Sequence, residues 1–166
     1  MLHTVYYINP YLIIHRYENE KPVEVCLLDM QMIRYSSVGI DLNYFLFTSF
    51  NGPVRRNNLD TFLETYYNAY KNCLPANKTC HFTLQELRTE YKKNRMYGLV
   101  MSLMILPLIV RTGDDVPDFS DVTDENMVEK QEEYKKEILD TMTNHPVFQP
   151  RFIGIMDDII EAGILV

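Results

Sequence analysis

Tryptophan is missing from the 166 residues, glycine is scarce at six, and cysteine is limited to three positions. Cys26, Cys73 and Cys80 are an odd number without metal-ligand spacing, so free thiols in a reducing, cytoplasmic setting are the simplest reading, with a Cys73–Cys80 disulfide as the alternative. His3, His15, His81 and His145 are scattered singly and form no zinc pattern. An excess of basic charge is also lacking: 16 Lys and Arg stand against 23 Asp and Glu. That balance argues against nucleic acid and anionic membrane as partners. The most apolar run, residues 98–110, falls short of the roughly 20 residues a membrane-crossing helix needs, and Pro107 lies near its end. Residues 1–17 have no basic leader, and His3, Asn9, Pro10, His15 and Arg16 interrupt them, so a secretory signal is not expected. Internal repeats and low-complexity tracts are absent as well.

What is present reads as one ordinary globular domain, long enough for a sizeable core. Residues 12–16 and 23–28 are strand-like and are joined by polar Glu18-Asn19-Glu20-Lys21 before Pro22, which predicts a hairpin. An apolar segment over 42–50 predicts a buried helix, and Asn51-Gly52-Pro53 breaks it. Leu59, Phe62, Leu63, Tyr66, Tyr67 and Tyr70 then recur at three- and four-residue steps, which predicts an amphipathic helix over 55–74 with an aromatic stripe facing the core. Thr83 and Glu86 stand in capping-box spacing. From there the pattern is polar up to Arg95 and then apolar on nearly every side, as though one helix enters from solvent and finishes inside the domain. Residues 111–124 carry five aspartates with Gly113 and Pro117 and read as an exposed acidic loop, their spacing out of register with a calcium loop. A charged helix over 125–143 should turn Met127, Tyr134, Ile138, Leu139 and Met142 to the body. A last helix over 148–162 should bury Phe152, Ile153, Ile155, Met156, Ile159 and Ile160 and stop at Gly163.

The stretch that organises the chain is 25–47. Val25, Cys26, Leu27 and Leu28 form a continuous apolar run that delivers Asp29 at its end, where a buried strand opens into a cleft. Asp41 lies just ahead of the apolar segment, in the place of an N-cap. Two acids thus flank one turn-rich connection. The plain alternative is that Asp29 is a turn residue and Asp41 only a cap.

The residue string Leu28-Asp29-Met30-Gln31, followed by Arg34-Tyr35, Asp41-Leu42 and Tyr44-Phe45-Leu46, resembles the Asp-Phe-Gln segment of the ecdysteroid kinase-like (CHK kinase-like) family. These are relatives of choline kinases and aminoglycoside phosphotransferases within the protein-kinase-like fold. Met30 stands where the family has Phe. Further on, residues 82–87, Lys92-Lys93, Tyr97-Gly98-Leu99 and Leu106-Pro107 resemble the trailing part of the family's domain. The resemblance runs from about Tyr17 to the end of the chain.

The resemblance implies a mainly α chain with a small β-hairpin, the helical lobe of a kinase-like fold without its N-terminal lobe. Residues 12–50 would hold the hairpin and Asp-Met-Gln segment and 51–166 a helical subdomain; the periodic segments themselves count about five helices. It further implies ATP and Mg²⁺ as cofactors and a small-molecule alcohol, such as a steroid or choline-like hydroxyl, as acceptor. Asp29 matches the Mg²⁺-ligating carboxylate, Gln31 would contribute to the same nucleotide site, and Asp41 would brace the catalytic loop.

The family's His-Gly-Asp-x-Trp-x-x-Asn stretch should fall on residues 5–12, which read Val5-Tyr6-Tyr7-Ile8-Asn9-Pro10-Tyr11-Leu12. A shift of two places puts Val5 at the base and Pro10 at the Asn. No catalytic base is therefore assigned, and the expectation is an incomplete or truncated kinase, inactive as this chain alone. The alternative is a non-catalytic helical binding module derived from the family. Apolar surface near residues 1–14 would favour self-association.

Overall fold

A computed structural model describes residues 13–27, 35–111 and 122–163. Asp29 and Gln31, residues 1–12 and most of the acidic stretch lie outside the described residues. The described chain is mainly α with a small antiparallel hairpin, as the resemblance implies.

Strands β1 (Ile13–Glu18) and β2 (Lys21–Leu27) pair antiparallel around Asn19-Glu20, whose φ angles are 49° and 62°. Positive φ at both central residues is what a two-residue type I′ turn demands, because its twist matches that of the strands. Arg16 pairs with Glu24 and Tyr17 with Pro22, so Val23 is an extra residue on β2. The bulge falls beside Pro22, which has no N–H to give the ladder. β2 ends at Leu27, two residues before Asp29.

Helix α1 (Val38–Ser49) is the centre of the core. Val38, Leu42, Tyr44, Leu46 and Phe47 are all buried, which explains why its sequence is apolar on nearly every side. It packs chiefly against the helices over Arg95–Ile109 and Leu84–Lys93. Two glycines permit that approach. A Cβ on Gly98 would lie 2.7 Å from the Phe47 ring, and one on Gly39 would lie 2.3 Å from the Glu90 carbonyl oxygen. The N-cap is Ser37, whose hydroxyl accepts from the Gly39 N–H at 3.1 Å. Asp41 is therefore not the cap: it sits one turn in, because Ser37 both closes the helix end and reaches across to Glu90.

The expected break at Asn51-Gly52-Pro53 is itself a helix start. Asn51 caps α2 (Gly52–Cys73) by accepting from the Val54 N–H at 3.0 Å, and Pro53 falls in the first turn, where a missing N–H costs nothing. The aromatic stripe faces inward as expected, with Phe62 stacked on Phe50 at 4.7 Å and Tyr70 tilted against Phe82 at 5.2 Å between centroids.

The capping box forms as read, opening α3 (Leu84–Lys93) with both Thr83–Glu86 bonds in place. The long helix expected from Thr83 is two helices. Asn94 breaks it by turning its side-chain amide onto the Glu90 carbonyl at 2.8 Å, and α4 (Arg95–Ile109) starts anew with Pro107 in its last turn. The described helices accordingly number six rather than about five.

Helices α5 (Met127–Asn144) and α6 (Phe148–Glu161) complete the body, and Gly163 ends α6 with φ 67°. Their inward faces differ from those read from apolar residues alone. On α5 Met127, Leu139 and Met142 are exposed, and Thr141 is the buried position, holding the Arg111 guanidinium at 2.9 Å. On α6 Ile153 and Ile160 are exposed, while Phe148, Ile155, Ile159 and, unexpectedly, Asp158 are buried.

Candidate functional site

The connection carrying Asp29 and Gln31 leads into a helix end that is held from several sides. Ser37 donates to Glu90 Oε2 at 2.7 Å, and Asn94 donates to Ser37 Oγ and Glu90 Oε2, each at 3.3 Å. The Ser37 hydrogen bond leads in holding the Glu90 carboxyl below its ordinary value; burial opposes it, and Lys93 and Asn94 add to the lowering. One turn further, buried Asn43 ties α1 to α3 by donating to the Tyr91 carbonyl at 2.8 Å. The start of α1 is thus a fixed platform.

Asp41 sits partly buried in the first turn of α1, where the helix field favours a carboxylate. It bears on α2. Burial pushes the Tyr66 hydroxyl up to about 12, with the Asp41 charge as the next cause and Tyr70 after it. Asp41 therefore acts across the α1–α2 contact. Among the described residues, no group of three or more His, Cys, Asp or Glu gathers to hold a metal.

A second polar centre lies between α1, α2, α3, α4 and α6. Arg55 and Asp158 form a buried ion pair, with side chains 3% and 1% exposed. The Arg55 guanidinium also donates to the Phe50 carbonyl at 2.9 Å and lies 4.0 Å over the Phe47 ring. Arg56 and Arg95 reach the other carboxylate oxygen of Asp158 at 3.2 and 3.5 Å. These groups, with Tyr91, Lys92 and Glu161, line a recess of about 210 Å³.

Reading by apolar periodicity did not single out this centre, although a signal was there. Asp158 sits between Ile155 and Ile159 on the inward stripe of α6, and Arg55 lies one turn before Leu59 on the inward stripe of α2. A carboxylate and a guanidinium on two buried faces each require a partner, and each supplies the other's.

A hairpin followed directly by a buried, acid-bearing helix is the arrangement in which the Asp29 segment stands. Residues 2–79 match the ecdysteroid kinase-like family. The ecdysteroid kinase-like stretch takes in the hairpin, the Asp29–Gln31 connection, α1 and α2, and it extends upstream of Tyr17; α3 to α6 lie beyond it. Comparison with curated proteins and with solved structures found no match. No helix among the described residues is long and apolar enough to cross a membrane.

Proposed function

We propose that the chain is the helical portion of an ATP-dependent small-molecule O-kinase of the ecdysteroid kinase-like type, and that these 166 residues alone transfer no phosphate. The observation that carries the reading is the family match over 2–79, laid on a hairpin that ends two residues before Asp29 and on the clamped helix after it. Asp29 is the carboxylate directed to a nucleotide-bound Mg²⁺, with Gln31 beside it and Asp41 bracing the connection through the α1–α2 contact. Mg²⁺, when bound, would neutralise charge on the phosphates. The described residues gather no metal-ligand set, and the metal role rests on Asp29. Residues 5–12 supply no base to take the proton of an attacking hydroxyl, and positioning and charge stabilisation account for most of the barrier reduction in phosphoryl transfer. The alcohol acceptor is assigned by family analogy alone. A cytoplasmic location belongs to the same reading and rests on the free thiols of Cys73 and Cys80.

A specific observation favours a second reading, a non-catalytic binding module. Met96, Val100, Met104 and Leu108 recur every fourth residue on one exposed face of α4, an apolar stripe of the kind that meets a partner or another copy of the chain. Thermal melts of the intact chain and of Asp29→Ala, with and without Mg²⁺-ATP, separate the two readings. On the kinase reading the intact chain is stabilised, the variant is not, and no phosphate reaches an alcohol. An unchanged melt in both leaves the binding module, and turnover by the isolated chain overturns the claim of inactivity.

A further inference from the structure

We propose that the recess around Arg55, Arg56, Lys92 and Arg95 binds a phosphate group, free or as a small phosphomonoester. Three features point there: an excess of unsaturated cations, an orphaned donor and the size of the space.

The recess is lined by four cations and two carboxylates. One carboxylate is already committed, since Asp158 gives one oxygen to Arg55 and the other to both Arg56 and Arg95. Those shared contacts, at 3.2 and 3.5 Å, are long beside the roughly 2.7–2.9 Å of a well-formed charge-assisted bond. The contacts of Arg56 to Asp157 and Glu161 are longer still, at 3.6 and 3.8 Å. Each guanidinium carries five N–H donors, so Arg56 and Arg95 retain unused capacity. Lys93 pairs with Glu90, whereas its neighbour Lys92, which borders the recess, pairs with no carboxylate among the described residues.

Arg55 adds an independent sign. Its side chain is 3% exposed, it lines the recess, and its Nε–H meets no acceptor. A buried donor left unmet costs on the order of 1–3 kcal/mol, and a bound oxyanion is the kind of acceptor that would relieve such a donor. Tyr91 lies in the same field. Its hydroxyl is pushed up to about 12, chiefly by burial, with Arg55 and Arg95 acting to lower it and Asp158 to raise it. It stays protonated at neutral pH, able to donate and adding no negative charge.

Size selects among anions. Drug-sized ligands occupy roughly 300–1,000 Å³, more than the 210 Å³ here. A nucleotide is excluded from full burial, whereas a phosphate group with a few waters fits. A dianion also suits a set of several cations from three helices better than a carboxylate, which one guanidinium satisfies bidentately.

The test is a thermal melt of the intact chain at constant ionic strength, titrated with inorganic phosphate, with glycerol phosphate, and with acetate as control. A saturable rise in Tm is expected with one or both phosphate probes and not with acetate, and the stronger of the two identifies the source. Lys92→Glu alters an exposed side chain outside the Asp158 network, so its melt without phosphate stays at the parent value while phosphate affinity falls at least tenfold. Arg95→Gln lowers the affinity in the same direction. Asp29→Ala leaves phosphate binding unchanged, which keeps this site distinct from the proposed nucleotide site. No saturable response to either phosphate probe, or an affinity indifferent to Lys92→Glu, overturns the proposal.

Discussion

Replacing Asp158 by Asn is the sharpest probe of how the core is held. The neutral amide keeps the volume but removes the carboxylate paired with Arg55, whose other contacts among the described residues are the Phe50 carbonyl at 2.9 Å and the Phe47 ring at 4.0 Å. With its side chain 3% exposed, Arg55 cannot turn to water without opening the α1–α2–α6 contact. Breaking a buried pair from one side costs about 3–5 kcal/mol, a large part of the roughly 5–15 kcal/mol by which a domain is stable. For a chain of this length that corresponds to a fall in Tm of roughly 6–20 °C. The opposite single change, Arg55→Met, should cost less, because Arg56 and Arg95 still reach Asp158. The double variant Arg55→Met/Asp158→Asn should be less damaged than Asp158→Asn, since neither charge of the pair is left behind. Urea unfolding followed by circular dichroism, with the m-value checked for constancy, measures all three. If the double variant loses the sum of the two single losses, the pair is not coupled and the reasoning fails.

Gly39→Ala places a Cβ 2.3 Å from the Glu90 carbonyl, a backbone atom that cannot swing aside, so it should destabilise by about 1–3 kcal/mol or more, read from the urea midpoint. Glu90 predicts a pH effect. Because its folded carboxyl titrates below the ordinary 4.5, its stabilisation is complete above that value and is lost as the pH falls through the lower folded value. Glu90→Gln should therefore flatten the acid limb of the stability curve, and unfolding midpoints measured between about pH 3 and 6 show whether it does.

Much of the fold was legible because it is written locally. The hairpin, the aromatic stripe of α2, the Thr83–Glu86 capping box and the Gly163 stop each rest on residues a few positions apart, and local chemistry decides them. The misplaced features were those settled by contact between distant segments. Asp41 looked like a cap because it precedes an apolar run, but the hydroxyl of Ser37 is fixed by Glu90, 53 residues away. The helix from Thr83 looked continuous because nothing nearby forbids it, yet Asn94 serves both the α3 terminus and Ser37. Met127, Leu139, Met142, Ile153 and Ile160 looked inward by apolarity, whereas α5 and α6 are helices of mixed pattern whose rotation is set by what they pack against.

The candidate site divides in the same way. The Asp29–Gln31 segment and its kinase likeness were carried by the order of residues, because a motif is a property of the chain and needs no coordinates to be seen. The arginine-rich recess was not, because its members come from five helices spread from position 47 to position 161. The sequence determined the hairpin, the capping box, the kinase-like motif and the acidic balance of the chain. Tertiary structure alone decided that Arg55 and Asp158 neutralise one another in the core and that Arg56, Lys92 and Arg95 are left around them with charge to spare. The physical reason is that a buried ion pair is a requirement on two surfaces at once, and only their meeting shows which charges are consumed.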